Sequence, residues 1–129
     1  MLNLPTTTSE LVVVAGAGTT SLEVHASFDD LLQPRTVTQG AQNTPVIAGP
    51  GTVTVVSPPA ASTDRNVKFL SVLNSGATCP VSVQKTRDGA TFVELFALSL
   101  TAGYLLQYDT DADGWRVYDD TGRVLEGGS

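Results

Sequence analysis

The sequence is poor in the residues that build disulfide frameworks and most catalytic sites. Cys79 is the only cysteine and His25 the only histidine among 129 residues. A single cysteine excludes an intrachain disulfide, and without a CxxC pair or a basic sequence neighbour we interpret Cys79 as a small buried residue. A single histidine excludes a histidine-based metal cluster, and any catalytic triad would depend on His25 alone.

Positive charge and long apolar runs are also scarce. Seven Lys and Arg residues stand against thirteen Asp and Glu residues, which gives a net charge of -6, and the basic residues are scattered along the chain. Nucleic acid binding needs a concentrated positive face, so we expect no nucleic acid partner. The longest apolar run, LVVVAGAG, is far too short to span a membrane, and no secretory signal pattern is present. We therefore expect a soluble protein made in the cytoplasm.

The periodicity of an amphipathic helix is missing too. Short Val, Thr, Leu and Phe runs recur between Gly, Pro, Asn and Asp residues, and SLEVHASF alternates apolar with polar residues as half-buried strands do. We predict one all-β domain over residues 1–129, an antiparallel β-sandwich of immunoglobulin-like or jelly-roll type with about seven to nine short strands. Residues 33–51 are predicted to be loop-rich, with at most a short strand at PVIAG, and residues 126–129 to be a frayed tail.

Two predicted strands, NVKFLSVLN and TFVELFALSL, carry apolar residues on both faces. A strand of a lone sandwich domain usually keeps one face in water, so a β-bulge or a covering loop is one explanation. A subunit interface is the other, because large exposed apolar patches usually mark one. The interface hypothesis favours a homotrimer, with a dimer as the second choice. Its candidate contact residues are Phe69, Leu73, Phe96 and Leu98, together with the passage from 33 to 51.

The stretch YDTDADGW is the strongest candidate for a ligand site. Asp109, Asp111, Asp113 and Gly114 match the first half of a calcium loop, and Asp120 stands where that pattern places its last ligand. An EF-hand loop lies between helices, however, whereas both flanks here have strand character. Asp and Gly also suit a tight turn, so we favour the acidic tip of a β-hairpin over a Ca²⁺ site. No other metal or cofactor is indicated.

Three further patterns have modest interpretations. Glu23 and His25 share a strand face, but no nucleophile elbow or oxyanion loop accompanies them, so a solvated or interface face is favoured over an acid–base pair. GAGTTS lacks the lysine of a phosphate loop and is interpreted as a hairpin turn. Trp115 with the three tyrosines suits either a sugar-binding patch or core packing. With only scattered carboxylates, we expect no enzymatic activity.

The chain resembles small structural proteins of tailed bacteriophages over nearly its whole length. The resemblance lies in an Arg-Asn-Val-Lys strand opening at 65–68, the Asn74 that ends that strand, Val-x-Val-Gln at 81–84, a Leu-x-Ala-Gly turn at 100–103, Leu-Gln-Tyr at 106–108 and Gly-Trp at 114–115. TTTSELVVV, SLEVHASFDDL and TVTQGAQNT are similar to the amino-terminal part of the same group.

The resemblance implies a virion component with a β-sandwich domain. The most plausible role is a decoration or cement protein that binds the major capsid protein on the outer surface of the head. The alternative is a tail, neck or fibre component that binds another virion protein or a host-surface glycan. Neither role brings catalytic residues to transfer, and the long acidic turn departs from the shorter turn of the group, which argues against a shared metal role.

Overall fold

The computed structural model describes residues 2–32, 36–110 and 114–128, without the side chains of 126–128. The described residues form eleven β-strands and contain no helix of the length and hydrophobicity that a bilayer requires. In chain order the strands are β1 (Leu2–Leu4), β2 (Glu10–Ala15), β3 (Leu22–Leu32), β4 (Thr36–Ile47), β5 (Gly51–Val56), β6 (Thr63–Asn74), β7 (Cys79–Thr86), β8 (Phe92–Leu100), β9 (Leu105–Asp109), β10 (Gly114–Tyr118) and β11 (Val124–Gly128).

The strands form two antiparallel sheets packed face to face, which confirms the predicted all-β sandwich. Sheet A has seven strands in the order β11-β10-β9-β6-β3-β4, with β1 also paired to β6. Sheet B has four strands in the order β5-β2-β7-β8. Since β3 pairs along one edge of β6, β1 and β9 share the other edge: β1 lies opposite 65–67 and β9 opposite 69–73.

The core lies between the inner faces of the two sheets. Alternate residues of β3 and β6 point inward from sheet A, and those of β2 and β7 from sheet B, as the period of two requires. The fully enclosed side chains include Leu11, Val13, Leu22, Leu70, Val72 and Val83, each 0 % exposed. Cys79 lies in the same cluster at 1 % exposure, which confirms its interpretation as a small buried residue. Burial of this apolar surface is the main stabilising term of the fold.

Three segments of the chain differ from the sequence prediction. Residues 36–47, predicted to be mostly loop, form the twelve-residue strand β4, which pairs with β3 from Leu22↔Ile47 to Leu32↔Thr36. The predicted short strand at PVIAG is only the end of β4. Strands β1 and β11 were not predicted, and the backbone of the expected frayed tail is paired with β10 as far as Gly128. In each case the partner strand supplies the order that the local sequence does not indicate.

Most connections cross between the sheets, so the predicted run of consecutive hairpins is only partly correct. The GAGTTS segment is a turn, in which Thr19 N donates to Gly16 O, but it joins β2 of sheet B to β3 of sheet A and is not a hairpin turn. Hairpins connect β3 to β4, β7 to β8, β9 to β10 and β10 to β11.

A bulge explains the apolar residues on both faces of β8. Val83 pairs with Phe96 and Gln84 with Glu94, so Leu95 has no residue opposite it in β7. The extra residue shifts the alternation, and Leu95, Phe96 and Leu98 all pack against the core. In β6 the two faces are separate: Leu70 and Val72 are in the core, whereas Phe69 and Leu73 are on the outer face. The bulge hypothesis therefore holds for β8, and an exposed apolar face remains on β6.

Asn74, the last residue of β6, fixes one end of the sandwich. Its side chain is completely buried, and Nδ2 donates to Ala77 O and Leu100 O at 2.8 Å each. Its Oδ1 accepts from Gly76 N at 3.0 Å. One amide thus joins β6, the connection to β7 and the end of β8, which satisfies buried backbone groups that water cannot reach.

Candidate functional site

An apolar patch lies on the outer face of sheet A, directed away from sheet B. We define the outer patch as Val46, Phe69, Leu73 and Leu105. In the register Leu73 lies between Leu105 of β9 and Glu23 of β3, and Ser27 lies beside Phe69. These residues line a shallow depression of about 510 Å³ that also includes His25, Asn43, Ser71 and Gln107. Leu73 is 37 % exposed and Val46 56 % exposed, so the patch offers apolar surface to a partner.

His25 lies in the wall of this depression, as the alternation of β3 predicted. Its Nδ1 hydrogen-bonds Oδ1 of Asn43 on β4. The ring centroid of His25 is 6.3 Å from that of Phe69, with the planes tilted by 53°. The hydrogen-bond partner of the imidazole is therefore an amide on the neighbouring strand and not Glu23, and the geometry supports a binding face better than an acid–base pair.

The structure separates the four interface candidates into two pairs. Phe69 and Leu73 are on the outer face, where the interface hypothesis requires them. Phe96 and Leu98 instead pack against the core, because they lie on the same face of β8 as the buried Leu100. Phe96 stacks on Trp115 with ring centroids 5.3 Å apart, and Tyr108 lies 5.0 Å from Trp115. Phe96 and Leu98 thus serve the interior of the sandwich.

The aromatic residues do not form an exposed sugar-binding patch. Trp115 is 7 % exposed and Tyr108 is 4 % exposed, and both belong to the core cluster. Tyr104 is partly buried against the same cluster. Of the two interpretations of these aromatic residues, core packing is the one that the structure supports.

The acidic candidates do not all converge on one centre. Asp109 ends β9 opposite Gly114, which confirms the predicted hairpin, and Asp111 and Asp113 lie outside the described residues. Asp120 follows the far end of β10 and lies against the turn at Gly103. A five-residue strand is about 13 Å long at about 3.3 Å per residue, so Asp109 and Asp120 lie at opposite ends of the hairpin. Among residues 2–32, 36–110 and 114–128, no group of three His, Cys, Asp or Glu is placed to hold a metal ion.

Two other carboxylates organise hairpin turns. Backbone N–H groups of Thr91 and Ala90, together with the Thr86 hydroxyl, lower the pKa of Asp88 to about 2 in the β7–β8 turn. The Thr121 hydroxyl and the Arg123 backbone N–H lead the causes that lower the pKa of Asp119 to about 2 in the β10–β11 turn. Hydrogen bonds to the ionised carboxylate favour the charged form. These charges therefore maintain turns and are not available as proton donors near pH 7.

Arg65 of β6 contacts β3 close to the turn that leads into β4. Its Nε and Nη2 donate to the two carboxylate oxygens of Asp30 at 2.8 and 2.9 Å, and Nη1 donates to Ser57 O at 2.8 Å. The guanidinium also lies 4.0 Å from the ring centroid of Phe28. On β4, the backbone at Gly40 lies so close that an added Cβ would come within 2.5 Å of the Phe28 ring. The bidentate pair therefore fixes β3 against β6, and the Phe28 ring, which Arg65 covers, packs against β4 at Gly40.

Strand β4 is the last strand of sheet A on the side beyond β3. In the described part of the chain it pairs only with β3. Val37 is 63 % exposed, and most residues from Thr36 to Val46 are exposed as well. Contact residues were predicted in this region from composition, but the strand itself and the roles of Arg65 and Leu105 were not. The spacing of Leu105 and Gln107 in YLLQY was a usable signal for Leu105, since it places them on one face.

Comparison of the chain with protein-family models, curated proteins and solved structures gave no match at the level of sequence or fold. The fold and the surface together define a class of protein. It is a two-sheet antiparallel β-sandwich with an apolar outer face beside a long edge strand.

Proposed function

We propose that the chain is a non-enzymatic structural protein of a tailed-phage virion, made in the host cytoplasm. In this role it is a capsid decoration or cement protein that binds the outer surface of the head and stabilises contacts between major capsid subunits. The resemblance of its strand and turn residues to small phage structural proteins supports the origin. The outer patch supports an adhesive role.

The observation that carries the proposal is the exposed apolar surface of the outer patch. Leu73 and Val46 remain in water in the isolated chain, beside Phe69 and Leu105. Burial of apolar surface against a capsid subunit stabilises the contact by roughly 25 cal/mol per Å². A contact of this size is weak alone, but copies on a symmetric lattice, joined to each other, bind with the avidity of several contacts.

The proposal is tested by adding the purified protein to phage heads that lack it. Leu73→Asp places a charge in the outer patch, and Leu125→Asp is the matched control, since Leu125 is also a partly exposed leucine of sheet A, at 46 % exposure. We expect Leu73→Asp to reduce the amount bound to heads by at least about tenfold, because a buried unpaired carboxylate is strongly unfavourable. Leu125→Asp should bind to heads as well as the unaltered protein does. Heads with bound Leu125→Asp protein should release DNA at a higher temperature than bare heads.

The alternative role in the tail is tested on heads and tails separated from purified virions. Mass spectrometry should find the protein in the head fraction in many copies. If it is found only in the tail fraction, the decoration role is wrong and the tail, neck or fibre role replaces it. Equal binding of Leu73→Asp and the unaltered protein to heads would remove the outer patch from the mechanism.

A further inference from the structure

Strand β4 has the features of a pairing edge. It is twelve residues long, it lies at the end of sheet A, and in the described residues its outward edge has no strand beside it. An edge strand of this kind offers a row of unpaired backbone N–H and C=O groups to another strand. We propose that this edge binds a second copy of the chain, with the two β4 strands antiparallel across a twofold axis.

The charge distribution points to β4 among the edges. The chain carries a net charge of -6, yet Thr36–Ile47 contains no Lys, Arg, Asp or Glu. Soluble proteins usually protect an edge strand by shortness, charge, proline or a bulge. The other outer strands have such protection: β11 has only five residues and β5 only six, and β8 contains Glu94 and a bulge against β7. β4 carries Pro45 and a register shift opposite 22–24, but both lie at its carboxyl end, so among these edges only the 36–44 part of β4 is both long and without charge.

The β4 edge is also held in place before any partner arrives. Gln42 Oε1 accepts hydrogen bonds from Ser57 N at 3.0 Å and Ser57 Oγ at 3.1 Å, which connects β4 to the segment after β5. At its middle the strand rests on Phe28 through Gly40, and Arg65 braces that ring. A strand already ordered in this way loses little conformational entropy when it pairs.

A second copy fits this edge better than a partner selected by charge. A basic partner would be recognised by carboxylates, and β4 has none. An identical strand matches β4 in length, brings no charge to the contact and shields Val37, which is 63 % exposed. Pro45 lacks a backbone N–H, so the ladder runs over 36–44. A twofold contact of this kind closes at two copies, unlike the trimer favoured by the sequence.

The proposal is independent of the virion role and is tested on the purified chain alone. Light scattering and sedimentation across micromolar to millimolar concentrations should give twice the 13.4 kDa of one chain. Hydrogen exchange followed by NMR should show alternate amides of 36–44 protected about tenfold or more at high concentration and unprotected on dilution. These amides point to solvent in a single chain, so a fold without pairing does not protect them.

Matched lysine variants test whether the dimer forms through the β4 edge. Ala41→Lys on β4 brings two like charges together across the twofold axis and should weaken dimerisation by at least about tenfold. Ala97→Lys is the control, since Ala97 is also an exposed alanine on an outer strand, β8. If Ala41→Lys does not fold, Gln39→Lys takes its place. A mass of one chain at every concentration, a trimer, or a dimer that Ala97→Lys weakens as much as Ala41→Lys would overturn the proposal.

Discussion

Strands β4 and β6 have the same length and flank β3 on opposite sides, but different forces maintain them. In β6, Val67, Leu70 and Val72 are each 0 % exposed and face the core. In β4 most side chains are exposed, and only Ile47 at its end is buried. Both are regular strands, so the difference in burial between them shows that a strand can be stabilised in two ways.

The first way is burial of alternate side chains, and the second is pairing with a strand that is already ordered. β6 has an apolar face of its own, and burial of that face stabilises any register that directs it into the core. β4 has Gly40 and Pro45 and little apolar surface, so it depends on the β3 ladder and on the contact between Gly40 and Phe28. Changes in β6 should therefore act on the whole fold, and most changes in β4 should act on the edge alone.

The largest expected effect is the loss of a β6 core side chain. Leu70→Ala should lower the free energy of unfolding by about 3 kcal/mol, through lost burial and the cavity that remains. Val37→Ala on β4 should change it by less than about 0.5 kcal/mol. Urea unfolding of both variants gives the comparison, and similar costs at the two positions would show that β4 is as deeply integrated as β6.

The second effect concerns one asparagine from each strand. Asn74→Ala leaves Ala77 O, Leu100 O and Gly76 N without a side-chain partner and should cost about 2 kcal/mol. Asn43→Ala removes the hydrogen bond to His25 at the surface and should cost less than about 0.5 kcal/mol. The two losses of stability are measured as shifts in the thermal unfolding midpoint. An Asn74→Ala variant as stable as Asn43→Ala would contradict the role of the buried amide.

Gly40 is the position where β4 itself should be sensitive. A Cβ there would meet the Phe28 ring at 2.5 Å, and overpacking of this kind costs about 1–2 kcal/mol. Gly49→Ala is the control, because an added Cβ there has nothing within 4 Å. Chemical denaturation should show the loss only in Gly40→Ala. A neutral Gly40→Ala would mean that β4 does not depend on its contact with Phe28.

The smallest effect is a pH dependence from the hairpin turns. Asp88 and Asp119 have folded pKa values of about 2, below the ordinary 3.8, so they bind protons more weakly in the folded chain. Their contribution to stability is complete above pH 3.8 and is lost as the pH falls through about 2. Melting temperatures over this range should fall less steeply in Asp88→Asn and Asp119→Asn. Curves parallel to that of the unaltered protein would show that the turns do not depend on these charges.

The parts of the fold that sequence reasoning found are those with their own local signal. β3 alternates apolar and polar residues, β6 is rich in Val, Leu and Phe, and Asp, Gly and Asn mark the turns, so the sandwich class was predictable. β4 was not, because polar side chains with Gly40 and Pro45 have the composition of a loop. β1 and β11 are short strands at the ends of the chain, and their pairing depends on residues far away or on the adjacent strand.

The candidate site was predictable only where strand alternation is regular. Phe69 and Leu73 were assigned to an outer face of β6, and the structure has them there. Phe96 and Leu98 were misplaced because both faces of β8 are apolar, so the sequence did not show that the face they share with Leu100 is the buried one. Asp120 looked like a ligand by spacing along the chain, but an extended strand carries it away from Asp109.

The division of the β6 edge between β1 and β9 has a consequence for how the chain folds. Leu2 pairs with Val67, so β1 has no partner until the second half of the chain has been synthesised, and β2, which pairs with β5, gains its second partner β7 only then. Contacts this distant in sequence make folding slow, on the millisecond to second scale of all-β sandwiches. β1 therefore stays unpaired until β6 has emerged from the ribosome, and β2 pairs with β5 alone until β7 has emerged. Mutations that speed folding should be found in β6, where both halves of the chain meet.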